Sequence, residues 1–526
     1  MTNRNTLPGK SETSVRWVMV ALMLGMLLGA LDMTIVSTAM PQIIAELGGL
    51  TYYSWVFSAY MLTSTIFVPL FGKLSDLFGR RLIYQIGLGL FMLGSALCGF
   101  STTIVELIVY RALQGVGAAA LMPIAIVIVG DLYPPEQRGK IQGVFGAVFG
   151  LASVAGPALG GFITDYLSWE WTFWINLPFG LAAMAVIAYA LKESKGEGKR
   201  YVDYTGAALL MGGMTALLLG LIMGGVEYPW NSWQIYGLFA ASVIMTGLFL
   251  FVQTKVPEPL LPLTLFQNRI VSVSAVLGFL LGAAMFAAVS YIPLYVQGVI
   301  GVSASLAGYI LTPLMLSMIA SSIISGRMIT KVSYRAIVLY GMIVMSASFY
   351  LLSLVQVDTP MWQVIVCMVM IGLGMGPMNP VLNIAVQSTV DAATRGIATS
   401  SLAFFRSIGG TVGVTVMGVF LNHELSAQLQ KVVAHVPPQL ASQLEKFTDP
   451  QLLLNQDVRG QIPQELLVLL QQALTVSINH VFLVALAITA IGIIVALFYG
   501  NAKMTKREMP PAGNPQVNPQ PANSRS

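Results

Sequence analysis

The stretch Gly72-Lys-Leu-Ser-Asp76-Leu-Phe-Gly79-Arg80-Arg81 is a short polar connection between two long apolar segments. Its glycines permit a tight turn between closely packed helices. The carboxylate of Asp76 is suited to cap the dipole of an opposing helix, and the arginines can bind carboxylates or lipid headgroups. The same combination of apolar segments and basic connections continues along the whole chain.

Basic side chains occupy every second short connection between the apolar segments. The short connections that alternate with these basic ones hold neither Lys nor Arg. Because basic loops stay in the cytoplasm, both termini are predicted to be cytoplasmic and the number of membrane crossings to be even. The basic groups are Arg4, Lys10 and Arg16; Lys73, Arg80 and Arg81; Arg138 and Lys140; Lys192, Lys195, Lys199 and Arg200; Lys255 and Arg269; Arg327, Lys331 and Arg335; Arg395; and Lys503, Lys506 and Arg507.

The composition excludes an ordinary water-soluble enzyme. Of the 526 residues 56% are hydrophobic and only 9% are charged, whereas roughly 25% is typical of soluble domains. The net charge of +5 lies mostly in the basic loops, so we expect contact with lipid headgroups and no nucleic-acid partner. Cys98 and Cys367 fall in apolar segments, which favours packing over a disulfide or metal site. No cofactor or metal is expected.

Apolar stretches of about 20 residues predict fourteen membrane-spanning helices. The first runs from about residue 17 to 40 and is too long for a cleaved signal core. The predicted spans lie near 16–40, 52–72, 82–100, 104–130, 139–165, 171–191, 203–224, 233–254, 269–299, 304–326, 334–355, 361–390, 395–421 and 476–500.

Two regions are predicted to lie mostly outside the membrane. The connection 422–475 is external by parity, and Leu440–Phe447 and Pro463–Leu474 within it show helical apolar spacing. Either a surface cap or a gating or partner-docking element fits a loop of this length. The tail 501–526 is rich in Pro, Asn and Gln, a composition typical of disorder.

Two opposite charges lie deep in the first half of the chain. Asp32 is roughly 13 Å inward from the external end of the first span, and Arg111 roughly 12 Å inward in the fourth, at 1.5 Å per residue. Buried ionisable groups are costly in a membrane and mark transport paths or proton relays. We therefore expect a direct or water-bridged ion pair. The alternative is a static contact between two helices.

Polar side chains in otherwise apolar helices are candidates for lining a substrate cavity. Arg406 is a third deep charge, about 16 Å from the basic end of its span, and either cavity lining or pairing with backbone carbonyls fits it. Asn379 and Asn383 lie one helical turn apart beside Pro377 and Pro380, which suggests a broken or kinked helix. Interhelical hydrogen bonding is the alternative for each candidate. The full set is Gln114, Tyr291, Gln297, Asn379, Asn383, Gln387 and Arg406.

The connection Gly72–Arg81 resembles the cytoplasmic signature of the major facilitator superfamily. The segment from Gly326 to Arg335 resembles a diverged second copy, with Thr330 in the place of Asp76. Such a trace is expected of two related halves. Arg111-Ala-Leu-Gln114-Gly115-Val-Gly117 resembles the fourth-helix motif of the superfamily, which the resemblance associates with proton transfer.

Two further motifs resemble those of exporters. Gly150-Leu-Ala-Ser-Val-Ala-Gly156-Pro157-Ala-Leu-Gly160-Gly161 is similar to the fifth-helix antiporter motif, in which small residues permit close packing and Pro157 gives a kink or pivot. Leu31-Asp32-Met-Thr34-Ile-Val-Ser-Thr-Ala-Met-Pro41 resembles the first-helix motif of the fourteen-helix drug:proton antiporters of the QacA/EmrB type. The gating residues that these resemblances imply are Gly72, Asp76, Gly79, Arg80, Arg81, Gly156, Pro157, Gly160 and Gly161.

The resemblance covers about residues 15–500 and implies an all-α major facilitator fold. The expected units are a cytoplasmic arm at 1–15, a six-helix bundle at 16–191, two inserted helices at 192–254, a second six-helix bundle at 255–500 and the cytoplasmic tail. It further implies a monomer in the bacterial cytoplasmic (inner) membrane. One departure is that the last six spans carry no acidic residue away from their ends.

The motifs together predict a proton-coupled multidrug exporter of lipophilic, cationic compounds, with Asp32 as the proton carrier. A gradient must supply the energy, because the phosphate-binding loop pattern of ATP-driven proteins is absent. A lipid or metabolite exporter of the same fold and a passive facilitator stay open as alternatives. A membrane enzyme is disfavoured, since no nucleophile or metal cluster stands out among the residues.

Overall fold

The computed structural model describes residues 12–47, 53–191, 203–225, 227–257, 259–302, 304–329, 331–391, 394–435 and 463–500. Its elements are helices, which confirms the predicted all-α membrane fold. The first eight are α1 (Glu12–Leu47), α2 (Tyr53–Ile66), α3 (Val68–Phe78), α4 (Arg80–Gly99), α5 (Ile104–Leu132), α6 (Pro135–Tyr166), α7 (Trp171–Trp174) and α8 (Asn176–Ala190). The rest are α9 (Tyr204–Met223), α10 (Trp233–Gln253), α11 (Arg269–Tyr295), α12 (Ala304–Met328), α13 (Tyr334–Leu352), α14 (Met361–Thr389), α15 (Arg395–His435) and α16 (Gln464–Leu497).

Twelve helices within these ranges are long and apolar enough to cross a membrane, and the pair α2 and α3 makes a thirteenth. The pair is bent by 41° next to Pro69, which cannot donate a backbone hydrogen bond inside a helix. Helix α6 coincides with the predicted fifth span, but part of its side chains lies outside the described residues. The count of fourteen and the cytoplasmic position of the termini therefore stay predictions.

The helices pack into two groups, which we call the first half (α1–α8) and the second half (α11–α16). In the first half α1 packs on α6 and α8, and α5 packs on α2 and α4. In the second half α14 packs on α12 and α13, and α11 packs on α15. Helices α9 and α10 pack mainly on each other. The halves meet where α6 packs on α12 and where α15 packs on α3 and α5.

Helix α15 extends beyond its predicted end at residue 421 and continues to His435. Leu425 and Leu429 are one turn apart, both are buried, and they belong to the same apolar core as Leu466 and Leu470 of α16. This packing stabilises helix where the sequence alone predicted a loop. The ends of the expected 422–475 connection are thus helical, and Leu440–Phe447 lies outside the described residues.

Helices α4 and α5 approach closely because glycines face each other across their contact. A Cβ atom at Gly117 of α5 would overlap the backbone of Gly87 and Phe91 in α4. Small residues at such crossings replace the hydrophobic driving force that is missing between helices in lipid. This contact fixes the position of α5 and therefore of the charged side chain that α5 carries.

We expect Gly117→Ala to lower the stability of the protein by about 1–3 kcal/mol, because the added methyl group forces two backbones apart. The measurement is the thermal unfolding midpoint of the purified protein in detergent. Gly237→Ala is the matched control, since a Cβ at Gly237 of α10 meets no atom within 4 Å. An unchanged midpoint for Gly117→Ala would show that the contact is not tight.

Candidate functional site

An ion pair lies completely buried in the first half. The Nη1 atom of Arg111 on α5 is 2.5 Å from Oδ2 of Asp32 on α1, and neither side chain is exposed to solvent. The sequence predicted a direct or water-bridged pair, because Asp32 and Arg111 lie at similar depths in their spans. The structure shows a direct contact. Each charge neutralises the other in a low-dielectric environment, where an isolated charge would be strongly unfavourable.

Polar side chains from three helices complete the surroundings of the pair. Gln114, one turn after Arg111, donates from Nε2 to Asp32 Oδ1 at 2.7 Å and accepts from Arg111 Nη1 at 2.7 Å. Asn176 at the start of α8 donates from Nδ2 to Asp32 Oδ1 at 3.4 Å and to Ser95 Oγ of α4 at 2.9 Å. We call Asp32, Ser95, Arg111, Gln114 and Asn176 the polar cluster.

The guanidinium group of Arg111 also contacts aromatic rings. Its Cζ atom lies 4.2 Å from the ring centroid of Tyr60 and 5.9 Å from that of Phe173, distances at which a cation is attracted to a π face. Its Nη2 atom is buried without a hydrogen-bond partner among the described residues. The arginine is thus held partly by neutral groups that do not depend on the charge of Asp32.

Three members of this environment were not predicted as site residues. Ser95, Asn176 and Tyr60 are polar groups in apolar spans, the same signal that singled out Gln114. Asn176 lies near the predicted beginning of the sixth span, where a polar residue is unremarkable in sequence. Only the packing of α8 against α1 and α4 brings it to the carboxylate.

The predicted cavity residues lie in different places. Gln114 belongs to the polar cluster, and Tyr291 is buried and donates its hydroxyl to the Val414 carbonyl at 3.1 Å. Gln297 is partly exposed in a π-helical turn, Val296–Ile300. The bond from Tyr291 on α11 to a carbonyl of α15 fits the alternative of interhelical hydrogen bonding. The structure does not bring Gln114, Tyr291 and Gln297 together in one site.

Helix α14 brings two other candidates together with Arg406 of α15. The Nη1 atom of Arg406 donates to Oδ1 of Asn379 at 2.5 Å, and Asn383 donates from Nδ2 to the Asn379 carbonyl at 2.9 Å. The helix is continuous through Pro377 and Pro380, so of the two expected forms, broken or kinked, the structure shows no break among the described residues. Within that part of the chain Arg406 pairs with a side-chain amide.

The side of the bundle where α3 ends and α4, α6 and α15 begin carries basic connections, and we call it the basic face. Here Asp76 of α3 accepts hydrogen bonds from the backbone N–H groups of Gly396 at 3.1 Å and Ile397 at 2.7 Å. These donors form the N-terminus of α15, whose dipole favours a carboxylate. Asp76 therefore caps a helix of the opposite half, as its motif predicted.

Three ion pairs extend this cap. Arg80 forms ion pairs with Asp76 and, at 3.4 Å, with Asp131 at the end of α5. Asp131 also pairs with Arg395 of the second half at 2.8 Å. We call Asp76, Arg80, Asp131 and Arg395 the latch. Arg81 is partly buried and forms no hydrogen bond or ion pair with the described residues.

Arg138 adds a buried connection beside the latch. It donates to the carbonyls of Tyr133 at 2.9 Å and Gly130 at 2.7 Å, and to Oε1 of Gln387 on α14 at 3.2 Å. Gln387, expected in the cavity, in turn donates to Thr399 at 3.4 Å. The basic face is thus closed by polar contacts between the halves.

Of the predicted gating glycines, Gly72 and Gly156 lie at close approaches, whereas a Cβ at Gly161 would meet no atom within 4 Å. A Cβ at Gly72 would overlap Ser400 of α15, and Gly79 has φ of 101°, which favours glycine. A Cβ at Gly156 of α6 would overlap Thr34 of α1. Gly160 and Gly161 lie in α6, whereas the side chain of Pro157 and the residue Thr330 fall outside the described part of the chain.

The described residues contain no group of three or more His, Cys, Asp or Glu side chains placed to hold a metal ion. The polar cluster brings together one carboxylate, one guanidinium and neutral amide and hydroxyl groups.

Comparison with known proteins identifies the family. The sequence profile of the Major Facilitator Superfamily matches residues 22–414. The multidrug transporter protein MdtP of Bacillus subtilis is 42% identical over 508 residues, covering 93% of this chain and 94% of that protein. Multidrug resistance protein 3 of the same organism is 39% identical over 505 residues, covering 96% and 99%.

A solved structure shares the fold. The human organic anion transporter MFSD10 (TETRAN) superposes with a TM-score of 0.58 at 17% identity, covering 90% of this chain and 99% of that one. Together with the profile match and the multi-pass helical architecture, these similarities show that the chain is a membrane transporter, and not an enzyme, of the major facilitator superfamily.

Proposed function

We propose that this protein is a proton-coupled multidrug antiporter that exports lipophilic compounds, cations among them, by alternating access. The observation that carries the proposal is the buried ion pair of Asp32 and Arg111. The names of its Bacillus relatives, a multidrug transporter and a multidrug resistance protein, support export of several compounds. We place it as a monomer in the cytoplasmic membrane of a bacterium, with the basic face inside.

Protonation of Asp32 changes the energy balance of the polar cluster. A proton removes the negative charge and leaves Arg111 as an uncompensated cation, and breaking a buried pair in this way costs about 3–5 kcal/mol. The cluster must therefore rearrange when the proton binds. The Tyr60 ring and Gln114 Oε1 remain as partners for the guanidinium. These neutral groups stabilise Arg111 after Asp32 has been protonated.

This rearrangement can be passed to the helices because the cluster joins four of them. Asp32 belongs to α1, Ser95 to α4, Arg111 to α5 and Asn176 to α8. A change in the pairing of Asp32 alters the contacts of α1 with α5 and α8, and Asn176 connects this change to Ser95 of α4. A proton that enters from outside and leaves to the cytoplasm thereby drives the halves between their two arrangements.

The latch defines the arrangement that the structure describes. With Asp76 on the N-terminus of α15 and Asp131 on Arg395, the basic face is closed. An alternating-access cycle requires these contacts to break when the cytoplasmic side opens to receive a compound. Cations would be attracted by Asp32 once it is ionised and separated from Arg111; in the described arrangement its charge is already neutralised.

We expect Asp32→Asn to reduce pH-driven efflux of ethidium to the level of protein-free vesicles, because asparagine cannot carry the proton. The measurement uses proteoliposomes with an imposed pH gradient and dye fluorescence. Thermal unfolding and gel filtration establish that the variant is folded.

Asp203→Asn is the matched control for this test. Asp203 is also a buried carboxylate, which accepts hydrogen bonds from Gly206 N at 2.7 Å and Gln253 Nε2 at 2.6 Å, but it lies at the start of α9 outside both halves. Its variant should retain coupled efflux. Coupled transport by Asp32→Asn would remove Asp32 from its role, and efflux by the unmodified protein that ignores the gradient would indicate a passive facilitator.

Asp76→Ala should open the basic face more often. It removes two charge-assisted hydrogen bonds, each contributing roughly 1.5–3 kcal/mol. We expect an at least tenfold faster reaction of a membrane-impermeant maleimide with Ala398→Cys, placed at a buried position of α15, in a background with Cys98→Ala and Cys367→Ala. Inside-out vesicles present this face to the reagent.

Asp358→Ala, in the connection between α13 and α14 at the other end of the bundle, is the control for the latch variant. It should leave the labelling rate unchanged. Equal labelling rates for Asp76→Ala and the unmodified chain would contradict the assignment of Asp76 to closure of the basic face.

A further inference from the structure

Arg406 is a charged residue deep in the membrane that has only neutral partners. Its Nη1 atom donates to Asn379 Oδ1 at 2.5 Å, and its Nη2 atom lies 3.7 Å from Met122 Sδ. In the described part of the chain no carboxylate lies within ion-pair distance of it. This contrasts with Arg111, whose charge is balanced by Asp32.

The position of Arg406 is central in the bundle. It lies eleven residues into α15, roughly 16 Å from the start of that helix, near the middle of a hydrocarbon layer about 30 Å thick. Its partners come from both halves, since Met122 belongs to α5 and Asn379 to α14. The next residue, Ser407, hydrogen bonds to Thr65 of the bent pair α2 and α3 at 3.2 Å.

The surroundings of the guanidinium are mostly apolar but not sealed. Phe404 and Ile408 of α15 pack into the apolar core of the first half, together with partly buried Met33 and Met122. The side chains of Arg406 and Asn379 themselves remain partly accessible. A polar pair in an apolar, accessible interface between two halves has the composition of a small-molecule site.

An arginine without a counter-ion at this depth is unfavourable unless something else balances its charge. The Asn379 amide oxygen is a neutral acceptor and the Met122 sulfur a weak one, so neither balances the charge, and the planar guanidinium has further N–H donors. Its fork geometry matches a carboxylate or another acidic oxygen group. A compound that supplies such a group would complete the site.

We propose that Arg406 and Asn379 form a subsite for the acidic group of lipophilic anionic compounds, which extends the substrate range beyond cations. The inference rests on the proposed export function for its physiological meaning, but binding to the subsite does not require proton coupling. Arg406 binds the acidic oxygens, Asn379 orients the guanidinium, and the methionine side chains contact the apolar body of the compound.

The test compares two fluorescent probes that share a ring system and differ in charge: pyrenebutyrate and pyrenebutyl-trimethylammonium. Their binding to the full chain is measured in phosphatidylcholine nanodiscs, with empty nanodiscs subtracted. Arg406→Gln should weaken pyrenebutyrate binding about tenfold or more, because a charge-assisted hydrogen bond is lost. Binding of the cation should not weaken, and Arg406→Lys, which keeps the charge without the planar fork, should retain only part of the preference for the acid.

Asn379→Asp is the decisive second variant. It has the same shape as asparagine and supplies Arg406 with the carboxylate that it lacks, so the protein is expected to stay folded. It should abolish the preference for pyrenebutyrate. Arg335→Gln in the connection before α13 is a control for loss of one positive charge and should have no effect.

Unchanged binding of pyrenebutyrate in Arg406→Gln and Asn379→Asp, or an equal loss for both probes, would overturn the subsite. The export function fails separately: acid binding that depends on Arg406, without pH-driven efflux of either probe, would leave the subsite in place and reject the antiport mechanism.

Discussion

A carboxylate and a guanidinium that are both fully buried impose the main constraint on this structure. Neither Asp32 nor Arg111 is exposed, so each needs the other or an equivalent set of partners. Gln114 of α5 and Asn176 of α8 donate further hydrogen bonds to Asp32, and Ser95 of α4 accepts one from Asn176. The close contact of α4 and α5 at Gly117 holds these helices at the distance that the bonds require. The packing of these helices and the pairing of the two charges therefore depend on each other.

The basic face shows the same dependence of helix packing on charge. Asp76 balances the N-terminal dipole of α15, and Arg138 caps carbonyls of α5 while it reaches Gln387 in the second half. Each contact joins the halves through groups whose partners can be exchanged for water when the face opens. Arg406, in contrast, lies between the halves without an acidic partner among the described residues, which is why a compound can take part in its charge balance.

Sequence alone predicted the helical fold, the deep pair and the cap made by Asp76, because each rests on a local rule: apolar length, a charge in an apolar span, and a carboxylate in a glycine-flanked turn. Contacts that depend on packing were not predictable. Asn176 reaches Asp32 only through the position of α8. Arg138 resembled an ordinary loop residue, and Leu425 and Leu429 gained helical structure from contacts with α16.

Proton uptake and release by Asp32 is the step on which coupled export depends. Infrared difference spectroscopy between acidic and alkaline pH tests this step directly, because a protonated carboxyl group has a C=O stretching band that a carboxylate lacks. We expect such a band in the reconstituted protein, lost in Asp32→Asn and retained in Asp203→Asn. A pH-dependent spectrum that is the same with and without the Asp32 carboxyl would contradict it.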